Sequence, residues 1–255
     1  MRHVLFSGFG IEVFSAPIFA GIAGLAAFLL MRRLREYMKL SPEDFWNLVL
    51  ALVIGVPGGA VLLYVLLYGR GPAGNLPVLL TGDIPGGSFW GSLWTAIAAA
   101  YWYCRSRGLD FRPVADGLGL SSMLALFIMR IGCFLHGCCY GLPADLPWSV
   151  SFSDPRCLAG RFMPGVPRHP TQIYESLGCL AIFSAAYWLF SRKRPAPGTV
   201  FALCLGLYSL LRFAADFTRG GDGGMLSIGP LGTSQIIAAA SAAASFVWYR
   251  RYAER

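Results

Sequence analysis

The sequence predicts an all-α, polytopic membrane protein of about seven transmembrane helices, and two observations carry that prediction. Of its 255 residues, 56% are hydrophobic and only 13% charged, and the mean hydropathy is +0.57. A water-soluble domain carries about 25% charged residues, and half that share cannot cover a solvent-facing surface. The second observation is spacing: apolar runs near the ~20 residues needed to cross a bilayer recur down the whole chain. The net charge of +8 calls for no nucleic acid, because basic flanks on membrane spans produce it. Seven cysteines lie mostly in apolar runs, where cysteine behaves as a small hydrophobe rather than as a disulfide framework.

Taken in order, the expected spans are 11–31, 46–68, 88–104, 113–135, 171–191, 198–217 and 233–249. The first is long enough to cross and lacks the short apolar core and small-residue site of a cleavable signal. It shows no lipid-attachment pattern. The third is short, and the fourth follows after only eight residues. Connections are brief except for the 35-residue stretch 136–170. With no internal repeat and no low-complexity linker, residues 1–255 read as one integral membrane domain.

Lys and Arg placement sets the orientation, since cytoplasmic connections retain positive charge. One set of connections holds RRLREYMK (32–39), RSRGLDFR (105–112), SRKRP (191–195) and RRYAER (250–255), thirteen of the 21 basic residues. The opposite set holds Arg2, Arg70, Arg156, Arg161, Arg168 and Arg219. The alternation is consistent for seven spans with the N-terminus outside and the C-terminus in the cytoplasm. It puts 136–170 on the outer face.

Charges inside spans cost at least a few kcal/mol and default to functional hypotheses. Arg130 sits about five residues from the outer end of its span, roughly 7–8 Å deep, and Arg212 sits at the same depth. Asp216 and Arg219 follow Arg212 at i+4 and i+7, and Tyr208 precedes it by one turn, so the four share a helix face. Gln172 and Glu175 stand i, i+3 near the outer end of the fifth span. A structural Arg–Asp pair would explain Arg212. Arg130 has no acid within one turn. As an unpaired arginine at headgroup depth it calls for an anion, and guanidinium binds the abundant one, phosphate, in bidentate fashion.

Three stretches then occur together: MRIGCFLHGCCYGLPADLPW (129–148), RHPTQIYE (168–175) and LYSLLRFAADFTR (207–219). In order and spacing they resemble the bacterial phosphatidylglycerol–prolipoprotein diacylglyceryl transferase family. Its pattern runs R-x-G-N-F-x-N-G-E-x-x-G, R-H-P-[ST]-Q-x-Y-E and Y-G-x-x-R-x-x-x-E-x-x-R. GGSFWG (86–91) falls where the family has G-G-x-S-F-H-G. The resemblance extends from about Gly55 to Gln235.

It implies seven spans with the N-terminus outside, in the bacterial cytoplasmic membrane. It also implies transfer of a diacylglyceryl group from phosphatidylglycerol to the thiol of a lipobox cysteine in a prolipoprotein. Membrane lipid and that signal peptide are the partners, and no cofactor is called for. Carried over, Arg130, Arg212 and Arg219 match the functional arginines, and Tyr208 the tyrosine of the same helix. Arg168, His169, Gln172, Tyr174 and Glu175 match the second block. Asp145, Pro147 and Trp148 match a D-x-P-[WF] piece, and Asp216 replaces a glutamate.

The departures cluster. Trp90 stands where the family has histidine, Cys133 and His136 where it has asparagines, and Cys138 where it has glutamate. Val61 replaces the arginine of an early A-R-x-x-Y element whose Tyr64 is kept, and Ala16–Pro17 replace a Tyr-Gly pair of the first span. The phosphate-handling half is retained, whereas the thiol-handling half is rewritten.

Cys133, His136, Cys138 and Cys139 make C-x₂-H-x-C-C at the outer mouth of the fourth span. Three readings stay open: a metal site of thiolate and imidazole ligands, a disulfide of Cys133 or Cys138 with Cys157 in an oxidising compartment, or packing. His136 at that mouth is a candidate for the missing base. His169 is its rival, although a His-Pro pair at a helix start also serves as a plain cap and bend. Two functions of other classes remain beside the enzyme: a phospholipid-binding member of the fold, and an extracytoplasmic thiol or metal protein.

Overall fold

The computed structural model describes residues 4–8, 11–68, 87–219 and 227–252. Arg2, Arg70, Gly86 and Arg255, used above, lie outside the described residues. Helices dominate: α1 (Ser15–Arg33), α2 (Pro42–Tyr68), α3 (Phe89–Arg107), α4 (Phe111–His136), the single-turn α5 (Leu158–Phe162), α6 (Thr171–Lys193), α7 (Thr199–Phe217) and α8 (Thr233–Tyr252). Five of these, α1, α2, α4, α6 and α7, are long and apolar enough to cross a membrane. Among the described residues two antiparallel strand pairs accompany them, β1 (Val4–Gly8) with β2 (Ile11–Phe14), and β3 (Ser227–Ile228) with β4 (Leu231–Gly232).

The first hairpin corrects one expectation. The apolar run beginning at Ile11 does not start as a helix: Ile11–Phe14 is extended and paired with Val4–Gly8, and α1 begins at Ser15. Continuous apolarity says nothing about period, and β-branched Ile11 and Val13 favour the pleated conformation.

Helix α4 is the axis of the bundle and packs against α1, α6 and α7. Its start is fixed by Asp110, whose carboxylate accepts from the backbone N–H of Arg112 at 3.0 Å and also grips that guanidinium. That satisfies one of the orphan donors of the first turn. Its end is fixed by Gly137 at φ 71°, a left-handed cap that favours glycine. On the side, α2 and α3 pack closely at two glycines. A Cβ at Gly91 would run into the carbonyl oxygen of Gly59, so this pair lets two backbones touch, as small residues do in membrane bundles.

Alternating helices run in opposite directions, and contacts at one end prove it. Asp44 at the start of α2 accepts from Tyr103 and Arg107 at the end of α3, at 2.8 and 3.1 Å. Beside it, fully buried Asp116 near the start of α4 accepts from the Tyr37 hydroxyl, the Gly198 N–H and the Phe201 N–H, all within 2.8 Å. Trp248 near the end of α8 donates to the Gly198 carbonyl at 3.0 Å. The basic C-terminal turns of α1, α3, α6 and α8 therefore share this end. The opposite end gathers the C-termini of α4 and α7 with the N-termini of α3, α6 and α8.

The connection 137–170 folds back over that opposite end. Buried Phe152, Cys157 and Ala159 form a small core of their own with Phe134, Tyr140 and Val150. Arg168 pairs by isolated bridges with Pro143 and Val150, tying the end of the connection to its beginning.

Candidate active site

Glu175 lies one turn inside α6 and is 1% exposed. A carboxylate so placed would be intolerable alone, and it is surrounded by three guanidinium groups. Arg130 of α4 meets its Oε2 at 2.5 Å, Arg212 of α7 its Oε1 at 2.5 Å, and Arg219, just past α7, the same oxygen at 3.1 Å. Arg212 also reaches one turn onward to Asp216 at 2.8 Å. Arg219 gains from the helix dipole, which favours a cation at the C-terminus of α7.

These contacts correct the picture of Arg130 as unpaired. Its acid comes from another helix, 45 residues further along. Local spacing can find a partner within one helix but is blind to one that tertiary packing supplies. The anion argument nevertheless survives in a sharper form. Three arginines face two carboxylates, so the cluster carries a surplus positive charge. Among the described residues, buried polar atoms around it also lack hydrogen-bond partners: Arg130 Nε, Tyr208 Oη, Gln172 Oε1 and Asp216 Oδ2.

Two more side chains join: Ser234, which sequence reasoning passed over, and Trp90, which it marked only as a departure. Ser234 in the first turn of α8 accepts from Arg212 Nε at 3.3 Å and from the indole N–H of Trp90 at 3.1 Å. Trp90, 2% exposed, packs with Phe89 and Tyr208. The signal for Ser234 was legible: Thr233, Ser234 and Gln235 are a polar triplet opening an apolar run, and all three are buried. Beside Tyr208 a small apolar cavity of about 40 Å³ lies between α3, α4 and α7, lined by Phe89, Leu93, Ile97, Met123 and Leu205.

The second block divides. Gln172 and Thr171 donate to the carbonyl oxygens of Cys138 and Cys139, at 2.6 and 2.8 Å, and so pin the turn after α4 onto the start of α6. Tyr174 turns outward; its hydroxyl accepts from Trp148 Nε1 at 2.7 Å and lies 3.3 Å from His169 Nδ1. Arg168 is buried but engaged elsewhere, donating to the Gly141 carbonyl and Met163 Sδ with its guanidinium over the Tyr140 ring. It holds the outer connection together. His136 is the last residue of α4 and half-buried. His169 lies with its ring against that of Tyr174.

All seven cysteines are free, which overturns the disulfide reading. Cys157 instead caps α5, accepting from the Gly160 N–H. Cys133, Cys138 and Cys139 converge, with their sulfur atoms all within 4.8 Å of one another. Cys139 is the acidic member: thiol hydrogen bonds from Cys133 and Cys138, backed by Arg130 and Arg219, hold it well below the ordinary thiol range. The same bonds push Cys138 up.

The comparison with known proteins now decides the family. A family model described as prolipoprotein diacylglyceryl transferase matches residues 3–250. The chain belongs to the prolipoprotein diacylglyceryl transferase family. A relative from Clostridium tetani, named phosphatidylglycerol–prolipoprotein diacylglyceryl transferase, is 32% identical over 238 residues, covering 93% of this chain and 92% of its own. Proteins of the same name from Solidesulfovibrio magneticus and Methylococcus capsulatus are 35% and 36% identical. Each of these two alignments covers 85% of this chain, with 83% and 82% of the relative's own length. The five apolar helices fit a family of multi-pass membrane transferases.

Proposed function

We propose that this chain transfers the diacylglyceryl group of phosphatidylglycerol to the thiol of a lipobox cysteine in a prolipoprotein. The sulfur attacks the glyceryl carbon, the carbon–oxygen bond to phosphate breaks, and glycerol phosphate leaves with the electron pair. The observation that carries this reading is the three-arginine cluster about Glu175, which holds more positive charge than it neutralises. Arg130, Arg212 and Arg219 receive the lipid phosphate and stabilise the charge on the leaving group. Charge developing in a dry, preorganised site is where a protein contributes most to rate.

Tyr208, Gln172 and Glu175 shape the pocket, and Tyr208 points its unpartnered hydroxyl toward the headgroup. Glu175 keeps the arginines apart and preformed until lipid arrives. Arg168 and Tyr174 act through the outer connection rather than on lipid, and His136 or His169 assists removal of the thiol proton, a step worth about 10²–10⁴-fold.

The same reading gives seven spans, α1–α4 and α6–α8, in one domain of residues 1–255. The N-terminus lies outside, the C-terminus in the cytoplasm, and 136–170 outside a bacterial cytoplasmic membrane. Its support is the gathering of basic helix ends at one end of the bundle. The functional test is transfer from phosphatidylglycerol to a lipobox peptide by the purified chain. A thioether-linked diacylglyceryl peptide is expected, with release of glycerol phosphate. Lipid bound without any transfer would refute the enzyme and leave only a binding protein. Reporter fusions at residues 150 and 255 test the topology.

A further inference from the structure

The turn after α4 carries a second feature that lipid binding does not use. Cys133, Cys138 and Cys139 bring three sulfur atoms to one point, all within 4.8 Å. Adjacent residues do not ordinarily aim their side chains together. Here Cys139 adopts φ 58°, the left-handed region. For a residue other than glycine that conformation is strained and persists only where the surroundings impose it. The surroundings are visible: the carbonyls of Cys138 and Cys139 are bound by Gln172 and Thr171. The backbone oxygens face α6, and the sulfur atoms turn back toward Cys133.

We propose that Cys133, Cys138 and Cys139 form a three-thiolate site for a thiophilic cation such as Zn²⁺, whose fourth position takes the acceptor thiol. Three thiolates at a Zn–S distance of about 2.3 Å need their sulfur atoms roughly 3.8 Å apart, a closure of about an ångström from the present positions. Three protein ligands with one open position is the arrangement of a reactive rather than a structural zinc site. The charges also match. A divalent cation on three thiolates carries one negative charge, and the Glu175 cluster beside it carries one positive; Arg130 and Arg219 both act electrostatically on Cys139.

The role assigned to the fourth position rests on the transferase reading above. A thiol bound to the cation gives its proton to water and remains as thiolate. That thiolate sulfur then forms the bond to the glyceryl carbon as the carbon–oxygen bond to phosphate breaks, and the anion leaves into the arginines. The cation thereby supplies what the rewritten positions no longer offer through Trp90.

The full chain, purified in detergent, is stripped with a chelator and titrated with Cd²⁺ as a probe. One cadmium per chain is expected, with an ultraviolet thiolate charge-transfer band, and Zn²⁺ should displace it. Cys133→Ser, Cys138→Ser and Cys139→Ser should each weaken binding at least tenfold, while Cys179→Ser leaves it unchanged. Zinc should also protect three of the seven thiols of the unmutated chain from maleimide, a readout that needs no variant to fold. No band, a band surviving the triple variant, or a disulfide among the three in metal-free protein would overturn the site. Transfer to a lipobox peptide should fall at least tenfold in stripped enzyme and recover with Zn²⁺. Equal transfer by stripped and loaded enzyme would overturn the acceptor role while the band upholds the site. Cadmium binding with no transfer in either form counts against the transferase reading instead.

Discussion

The bundle buries carboxylates at both ends, and the most deeply buried at each, Asp116 and Glu175, are treated differently. Asp116 is met by two backbone N–H groups at the start of α7 and by one tyrosine hydroxyl. Each acceptor oxygen is used and no cation is needed. Glu175 is met by three arginines from two helices and a helix end, with further buried polar atoms unpartnered around it. The first arrangement is closed and ties helix ends together. The second is open in charge and in hydrogen bonding, so that something from outside can complete it. Burial alone does not mark a working site; incomplete satisfaction does.

Breaking each end should separate these roles. The largest effect on activity is expected from Arg130→Lys, which keeps the charge but loses the planar fork. Transfer should fall by about 10²–10³-fold with the melting temperature nearly unchanged, as paired rate and calorimetric measurements would show. Glu175→Ala leaves three buried cations facing one another and should cost about 3–5 kcal/mol of stability. A fall in melting temperature of the detergent-solubilised protein measures it, and no fall would mean that the arginines repel less than the geometry implies. Asp116→Asn should cost about 1–3 kcal/mol, yet the folded fraction should transfer at the parent rate; a rate loss in fully folded protein would contradict the separation of the two ends. The smallest effect belongs to Trp90→Phe, which removes one hydrogen bond to Ser234, worth about 1 kcal/mol. Less than a tenfold change in rate is expected, in a headgroup-binding or transfer assay.

How much of this was readable from the chain follows from the range of the forces involved. The long helices were legible, because a bilayer demands continuous apolar runs, and five of them are long and apolar enough to cross one. Each expected span overlaps one long helix. Arg212 and Asp216 were legible as a pair, since i, i+4 spacing fixes their contact whatever the rest of the fold does. The partner of Arg130 was not, because nothing local to α4 points to Glu175. Nor was the role of Asp116: a lone acid in an apolar run gives no hint that two N–H groups of another helix await it. The helix boundary at Ser15 failed for a related reason, the choice between strand and helix for Ile11–Phe14 being settled by pairing with Val4–Gly8.

The scattering of the Glu175 cluster along the chain also bears on how the protein is made. Arg130 is synthesised first, then Glu175, and Arg212 only 37 residues after that. A nascent chain therefore delivers α4 to the membrane with an arginine whose counter-charge does not yet exist, at a cost of about 2.5–3.5 kcal/mol on insertion scales. Arrival of α6 repays that cost, and α7 then locks both helices. The cluster proposed to receive lipid would thus also serve, during biogenesis, as the latch that commits three helices to one another. A chain truncated before α6 should leave α4 poorly retained in the bilayer.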